Sequence, residues 1–393
     1  MRLLLLVGLL WAFALTGCLG PVVLHEAVLG YDETVSRLET EMLLLNVARI
    51  YHDLPAHFTV TSSITATFDY RASAGFVGNF LKSSGFDSYS LALGASAAEN
   101  PTLSIVPIQG EEFTTRILTP VDESKFQFLV FQGAPIDMVI RLMADGIEVQ
   151  NRDGTFQRFI LNRPTHPEEY EEFRRRAMHL AWLNATRNLF VGTLSFEETL
   201  RTKLAGAPSA GELMSAVEKG YRWRRLADDG TYELTRLTTG RVTVTNYDPR
   251  TLTNAERQAL NARAAANPSN FVLVDVRPGH PGGDFPIFGG IKLRSLYTVL
   301  AFVAGGISET PEYDVEKDPR TGEVGRNPRQ ALAIMVTDSP PAERIPRILY
   351  SGRYYSVGDT GWDRETFTLL YQLFQMTVTD VSKIGAPAIT ISK

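Results

Sequence analysis

Apolar residues recur every three or four positions in several stretches of the chain, the spacing that places them on one buried face of a helix. This pattern predicts helices over residues 32–51, 165–188, 293–303 and 360–374. The second of these has the clearest start, because Pro167 and the two glutamates that follow it suit the first helical turn.

Alternating apolar and polar residues predict strands, and turn residues between some of them predict hairpins. We expect hairpins around Asp228-Asp229-Gly230 and around Ser351-Gly352, and a strongly apolar strand at 271–276. Residues 72–100 are rich in Gly, Ala and Ser, so we expect loops with short elements there. Helices mixed with hairpins indicate an α+β fold with a mainly antiparallel sheet and flanking helices.

The N-terminus carries a segment of a different kind. Met1-Arg2 precedes an apolar run of 13 residues from Leu3 to Leu15, whereas a helix needs roughly 20 residues to span a bilayer. A positive start, a short apolar core and small residues before a cut are the anatomy of a secretory signal. Residues 1–17 are therefore predicted to be a signal peptide.

The end of this signal has a lipidation motif. Leu15-Thr16-Gly17-Cys18 resembles a bacterial lipobox, and Cys18 is the only cysteine of the chain. The resemblance implies that the Cys18 thiol receives a diacylglycerol and that cleavage leaves Cys18 as the first residue. Leu19 rather than an aspartate follows, which by the same resemblance favours the outer membrane. The alternative is an ordinary secretory signal that contains a cysteine by chance.

Length and composition predict a folded protein behind this signal. The chain has 393 residues, of which 44% are hydrophobic and 21% charged, and a single core stops growing near about 250–300 residues. We therefore expect a lipidated tether at 18–30, an N-terminal α+β lobe at 31–207 and a C-terminal α+β lobe at 208–393. Within the second lobe, the charged and aperiodic residues 308–330 predict an exposed loop.

Charge and cysteine content exclude several classes of partner. The formal net charge is −5, so the chain lacks the basic excess of a nucleic-acid-binding protein. With Cys18 lipidated, no thiol remains for a disulfide or a metal site. We expect no cofactor, no metal and no nucleic acid.

Short segments at both ends of the mature chain resemble a group of uncharacterised lipoproteins of Gram-negative bacteria. Near the N-terminus these segments are Leu43-Leu44-Leu45-Asn46, Arg49, His57-Phe58 and Ser62-Ser63-Ile64. Near the C-terminus they are Arg294-Ser295-Leu296, Asp338-Ser339-Pro340-Pro341, Tyr350, Gly352, Tyr355 and residues 367–374. The resemblance implies a lipid-anchored envelope protein and carries over no catalytic residue.

The chain has no complete local catalytic motif. Residues 94–98 lack the final glycine of the serine-hydrolase elbow, and no H-E-x-x-H helix is present. His280 and Asp284, in a Gly/Pro-rich loop after the 271–276 strand, are the best acid–base candidates, although such a loop also serves as a plain crossover. For Arg49 and His57 we weigh a ligand pocket against ordinary pairing of a buried polar group.

Two other groups of residues have a structural and a functional interpretation. The basic run 174–176 lies close to acidic residues, which favours solvated ion pairs. The late aromatic residues suit either a sugar-binding platform or a core, and we expect a core. These residues are Tyr350, Tyr354, Tyr355 and Trp362.

The sequence thus predicts a lipid-anchored envelope protein that faces the periplasm, most simply a non-catalytic binding or scaffold protein. Its expected partners are the membrane, through the lipid on Cys18, and another envelope protein or a second copy of itself. The competing interpretations are a hydrolase that uses His and Asp/Glu groups of the C-terminal half, and a carbohydrate-binding module that uses the late aromatics. An enclosed pocket lined by converging polar side chains would help to decide between them.

Overall fold

The computed structural model describes residues 19–79, 88–204, 206–226, 231–308, 310–378 and 389–392. Two compact units divide these residues. The first contains residues 19–42, 57–79, 88–112 and 389–392, and the second contains residues 43–56 and the described residues from 113 to 378. The described part of the chain has an α+β fold with mostly antiparallel sheets, as the pattern of helices and hairpins predicts.

The first unit is built on a long hairpin. Strands β1 (Thr59–Asn79) and β2 (Ser88–Pro107) pair antiparallel, and β13 (Ile389–Ser392) pairs with the other edge of β2. The loops expected at 72–100 are therefore wrong for residues 72–79 and 88–100. Ala, Gly and Ser have low strand propensity, so their abundance concealed two strands that cross-strand pairing stabilises.

Helix α1 (Leu19–Tyr51) begins in the first unit and ends in the second. Residues 19–30 continue this helix, so the described residues of the tether predicted at 18–30 are helical. Pro21 is tolerated because the N–H groups of a first helical turn have no partner within the helix, and Gly30 lowers helix propensity by only about 1 kcal/mol. Among the described residues, no helix is both long and apolar enough to cross a membrane.

The second unit contains a seven-stranded sheet. Its strands are β3 (Ala144–Gln150), β4 (Phe156–Leu161), β5 (Phe190–Leu204), β6 (Tyr221–Arg225), β7 (Tyr232–Thr245), β8 (Phe271–Val276) and β9 (Ile287–Leu293). The order is β4-β3-β9-β8-β7-β5 with β6 also on β7, and among these described strands only β7 and β8 pair in parallel. Strands from both sides of residue 207 share this sheet, so the lobe boundary predicted at 207/208 is wrong.

Helices and a small sheet complete the described chain. The helices after α1 are α2 (Gly110–Phe113), α3 (Glu123–Phe131), α4 (Ile136–Met143), α5 (Pro167–Ala185), α6 (Ala210–Glu218), α7 (Asn254–Ala265), α8 (Leu296–Gly305) and α9 (Gly361–Val378). A three-stranded sheet has the order β10 (Ile334–Thr337), β12 (Arg353–Val357) and β11 (Arg347–Tyr350). Ser351 and Gly352 join β11 to β12 with positive φ angles of 49° and 79°, which confirms the hairpin predicted there.

The centre of the second unit is the short helix α4. Every residue of α4 is buried, because α3, α5, α8 and α9 all pack against it. Strand β8 is also buried along its whole length, as its apolar run predicts. The polar exceptions in α4 are Asp137 and Arg141, and buried charges of this kind need partners nearby.

Residues 310–330 contain neither helix nor strand, and four of them are buried: Glu312, Val315, Asp318 and Thr321. Val315 is buried against Tyr170 and Met178 of α5, and Glu312 is only 5% exposed. The exposed loop predicted at 308–330 is therefore wrong at these positions. Side-chain hydrogen bonds, rather than an apolar face, hold this segment in place. An apolar periodicity is therefore not needed for its order, and the sequence shows none.

A second set of contacts fixes the same segment further along. His179 is fully buried; its Nε2 pairs with the carbonyl of Gly282 at 2.9 Å and its Nδ1 with the Thr321 hydroxyl at 3.0 Å. Because a carbonyl only accepts, Nε2 carries the proton and Nδ1 accepts from Thr321. Gly322 lies so close to Trp182 that a Cβ there would stand 2.2 Å from the indole Nε1.

Candidate functional site

The predicted acid–base residues lie in the loop between β8 and β9. His280 and Asp284 are both exposed, and no hydrogen bond joins these two described side chains. The ring centroid of His280 lies 5.2 Å from that of Tyr247, and the backbone carbonyl of Asp284 accepts a hydrogen bond from Arg320. The loop itself is held by Asn246, whose amide donates to two of its carbonyls. The structure does not bring the two residues together as a pair.

A buried carboxylate near His280 is already neutralised. Asp275 is fully buried, and its Oδ2 accepts from the Tyr247 hydroxyl at 2.6 Å and from Arg277 Nε at 2.8 Å. Burial, and then the Asp275 charge, raise the pKa of Tyr247, so its hydroxyl stays protonated and donates. We interpret this cluster as support for the end of β8 rather than as a reaction centre.

The other predicted residues lie apart or outside the described chain. Arg49 is half-buried on the part of α1 that belongs to the second unit, whereas His57 is exposed and belongs to the first. Neither unit by itself contains both residues of the proposed pocket. Cys18 lies outside the described residues.

Two of the late aromatic residues are core residues, as expected. Tyr355 is 1% exposed and its hydroxyl pairs with Nε2 of His52 at 2.7 Å. Trp362 is 6% exposed and its indole donates to the carbonyl of Ala331 at 2.8 Å. Neither ring offers the open face that sugar stacking requires.

A buried polar cluster in the described part of the chain is centred on Glu312. Its Oε1 accepts from the Tyr170 hydroxyl at 2.8 Å and from Arg141 Nη2 at 3.3 Å, and Arg174 Nη1 lies 4.0 Å away. Its Oε2 accepts from the backbone N–H of Ala331 at 2.5 Å. Arg174 is only 1% exposed, so the solvated ion pair predicted for it is wrong.

Arg294 lies next to this cluster and is 4% exposed. It donates to the carbonyls of Leu142 at 3.2 Å and Asn162 at 2.8 Å, and its guanidinium lies 3.9 Å from the centre of the Phe302 ring. Burial lowers the pKa of Arg294 to about 9, and Asp145, 4.0 Å from Nε, opposes this shift. The positive charge of Arg294 is therefore compensated mainly by the dipoles of two backbone carbonyls and by Asp145, which lies at the longest distance that still counts as an ion pair.

The junction between β9 and α8 fixes Arg294 in this place. Its backbone N–H donates to the carbonyl of Met143, and its own carbonyl accepts from Val121. The next residue, Ser295, begins α8 with a capping box in which its hydroxyl accepts from the N–H of Thr298. Both backbone groups of Arg294 are therefore tied to other segments, which leaves its side chain little freedom.

A cavity of about 350 Å³ opens beside Arg294. Its charged lining residues are Arg163, Arg294, Asp145 and Glu312. Its other walls are Pro164, Thr165, Thr298, Ala301, Phe302, Gly305, Gly306, Ser308 and Thr310. The Arg163 side chain is 57% exposed and lies 3.4 Å from Asp145, while a Cβ on Gly305 would meet no atom within 4 Å. The cavity thus has open space, one apolar wall and a buried cation.

The charged residues that line this cavity are balanced, with two arginines and two carboxylates. Arg141 and Arg174 lie behind Glu312 and do not line the cavity. Burial raises the pKa of Asp137, which lies next to Arg141, and the charge of Arg141 opposes this shift. The Nε atoms of Arg141 and Arg174 are buried without a hydrogen-bond partner among the described residues. Arg294 is a buried cation in the wall of the cavity, and Arg163 is a second cation at its exposed rim.

Local sequence patterns could not reveal this site. Arg141 and Glu312 are 171 residues apart in the chain, and no motif links them. Within the described residues, no group of three or more His, Cys, Asp or Glu side chains is arranged to hold a metal ion. No family model, no curated protein and no solved structure matches the chain.

Proposed function

We propose that the protein is a lipid-anchored protein of the cell envelope, facing the periplasm, that binds a small organic anion without transforming it. The observation that carries this proposal is the buried Arg294 in the wall of a cavity of about 350 Å³, where its guanidinium lies against the Phe302 ring and the exposed Arg163 adds a second cation at the rim. The lipid anchor rests on the sequence Leu15-Thr16-Gly17-Cys18.

The anchor has a direct test. Each buried methylene adds about 0.8 kcal/mol of membrane affinity, and two or more acyl chains hold a protein stably. Cells that express the full chain should incorporate labelled palmitate into it, and the Cys18→Ser variant should not. Incorporation into the variant would contradict the lipoprotein assignment.

The lining of the cavity favours binding over catalysis. Among the described residues it contains no His, Lys, Cys or Tyr. The hydroxyls of Thr298 and Ser308 donate to the backbone carbonyls of Ser295 and Gly305. Glu312 already accepts hydrogen bonds from Tyr170, Arg141 and Ala331. Arginine keeps its proton and therefore serves to hold an anion rather than to transfer a proton.

The shape of the cavity limits the ligand. A volume of about 350 Å³ lies at the lower end of the range for small-molecule sites. The apolar wall formed by Ala301 and Phe302 lies next to the guanidinium of Arg294. A carboxylate with a short apolar or aromatic body would match both features, because its charge meets the guanidinium and its body covers the ring.

Binding should be measured on the mature chain with Cys18→Ser, by calorimetry with octanoate and benzoate against octanol and benzyl alcohol. We expect the carboxylates to bind at least tenfold more tightly than the alcohols. Arg163→Gln, at the exposed rim, should weaken octanoate binding by about fivefold to tenfold, the size of one partly screened charged hydrogen bond.

A second variant tests the cavity rather than its charge. Gly305→Leu should fill the open space beside Gly305 and abolish binding, while Gly325→Leu, also at a position with open space, should bind as the parent does. Equal binding of acids and alcohols, or normal binding by the Gly305→Leu variant, would refute the proposed site.

A further inference from the structure

The hairpin of β1 and β2 has a two-residue periodicity that its small residues obscure. Even-numbered positions of β1 from 64 to 76 all hold apolar or aromatic residues: Ile64, Ala66, Phe68, Tyr70, Ala72, Ala74 and Phe76. Odd-numbered positions of β2 from 89 to 103 do the same with one exception: Tyr89, Leu91, Leu93, Ala95, Ala97, Glu99, Pro101 and Leu103. The intervening positions are mostly Ser, Thr, Gly, Asn or charged residues.

The register of the hairpin places both apolar sets on the same face. Phe76 pairs with Leu91, and Ala74 pairs with Leu93, so even positions of β1 stand opposite odd positions of β2. Directly paired residues of an antiparallel hairpin share a face. If the register of β1 against β2 were shifted by one residue, the apolar positions of one strand would lie opposite the polar positions of the other. The observed register therefore gives the hairpin one apolar face and one polar face.

Within the described residues of the first unit, β13 pairs with β2 only at residues 102–105, near the base, and α1 has no extended contact with either strand. A two-stranded hairpin is at best marginally stable in water without another surface against its apolar face. The strands hold 21 and 20 residues, so this face requires an extended partner.

We propose that the apolar face of this hairpin lies against the lipid of the membrane to which Cys18 is anchored. The inference rests on the proposed lipid anchor, because residues 19–42, which follow Cys18 in the chain, belong to the same compact unit as the hairpin. Of the residues on this face, only Glu99 is charged, and the opposite face carries Asp69 and Arg71. Residues 64–76 form a stretch of 13 residues, which is longer than the roughly 9–11 residues of a strand that spans a bilayer.

The backbone determines how deep this contact is. Along its outer edge β1 pairs with no other described strand, and unpaired N–H and C=O groups are not tolerated in hydrocarbon. Headgroups and water can satisfy these groups in the interfacial region. The hairpin therefore lies in the membrane interface, with its aromatic residues at the level where tyrosine and phenylalanine rings partition favourably.

The test uses the full mature chain with Cys18→Ser, so that no acyl chain contributes to binding. Flotation with vesicles of phosphatidylethanolamine and phosphatidylglycerol (about 3:1) measures the bound fraction. Phe76→Asp with Leu91→Asp places two charges on the apolar face, and Val77→Asp with Ser90→Asp places two at the neighbouring pair on the other face. The first variant should lose vesicle binding at least tenfold, and the second should stay within about twofold of the parent.

Other outcomes have defined meanings. Absence of vesicle binding by the parent, or equal losses in both variants, would overturn the proposal. An oligomer that forms without vesicles and that Phe76→Asp with Leu91→Asp dissolves, together with no vesicle binding, would also overturn it, because the face would then bind a second copy of the chain. Palmitate labelling of Cys18 in the unmodified chain is a separate measurement, so loss of the hairpin contact and loss of the anchor are distinguishable.

Discussion

Glu312 is the residue whose removal should have the largest effect on the second unit. It is 5% exposed and is the carboxylate that Arg141 and Tyr170 both contact, with Arg174 beside it. Glu312→Gln keeps the volume and shape of the side chain but removes its charge. The variant leaves two arginines that are at most 2% exposed without their shared counter-charge.

Removal of one member of a buried ion pair costs about 3–5 kcal/mol, because the other charge stays desolvated. The amide adds to this cost. Both carboxylate oxygens of Glu312 accept hydrogen bonds, whereas the NH₂ group of glutamine cannot accept one and must face one of these donors. A native protein is stable by only about 5–15 kcal/mol, so the loss would be a large share of the total. With a urea dependence near 3 kcal/mol/M, the midpoint should fall by about 1–2 M.

Urea unfolding of the mature chain with Cys18→Ser, followed by tryptophan fluorescence and far-UV circular dichroism, measures this effect. Glu316→Gln is the matched control, because Glu316 is exposed on the same segment, and it should change the free energy of unfolding by less than about 0.5 kcal/mol. Tyr170→Phe completes a double-mutant cycle. The loss of stability in the double variant should be smaller than the sum of the losses in the two single variants, because both changes affect the same hydrogen bond. A loss of 1 kcal/mol or less for Glu312→Gln would refute the charge argument.

Three further predictions concern other parts of the second unit. Gly322→Ala should lower the free energy of unfolding by about 1–3 kcal/mol, because the new Cβ would press on the indole of Trp182. Gly325→Ala, whose Cβ would meet no atom within 4 Å, should leave the free energy of unfolding unchanged. Equal urea midpoints for the two variants would contradict this packing. Burial lowers the pKa of His179 in the folded state. Its contribution to stability is therefore complete above the unfolded pKa near 6.5 and declines as the pH falls below that value. His179→Gln should lack this decline when the free energy of unfolding is measured from about pH 8 to 5. His280→Ala with Asp284→Ala should leave folding, localisation and any cellular phenotype intact, and a phenotype lost in a normally folded double variant would favour the hydrolase.

Local features of the fold could be predicted where a short stretch of sequence determines them. Strand β8 was predictable because six successive residues dominated by Val, Leu and Phe suit a strand buried on both faces. The β11–β12 hairpin was predictable because Ser351-Gly352 suits a turn with positive φ. The α+β class followed from such elements, since each needs only neighbours in the chain.

The arrangement of these elements could not be predicted from the same signals. The seven-stranded sheet joins β3, β4 and β5 to strands that come after residue 207. Nothing in the local pattern of β3 or β9 specifies that each pairs with the other. A boundary drawn from length and composition therefore cut the sheet, whereas the compact units follow contacts between distant segments.

The candidate site was missed for a related reason. Arg141, Arg174 and Glu312 are charged residues, which by composition alone are expected at the surface. Their burial becomes favourable only when all three meet, and they come from α4, α5 and the irregular segment 310–330. Sequence reasoning that assigns each charge by its neighbours in the chain cannot recover such mutual compensation.

The proposed anion site and the segment 310–330 share Thr310 and Glu312. Glu312 lines the cavity and at the same time bonds the segment to Arg141 and Tyr170. A ligand that binds only the folded state stabilises it by about 2.7 kcal/mol at one hundred times its Kd. A carboxylate that occupies the cavity should therefore slow limited proteolysis within 310–330, since cleavage requires this segment to leave its contacts. The Gly305→Leu variant should be cleaved at the same rate with and without the carboxylate, and protection of that variant would show that the anion acts elsewhere.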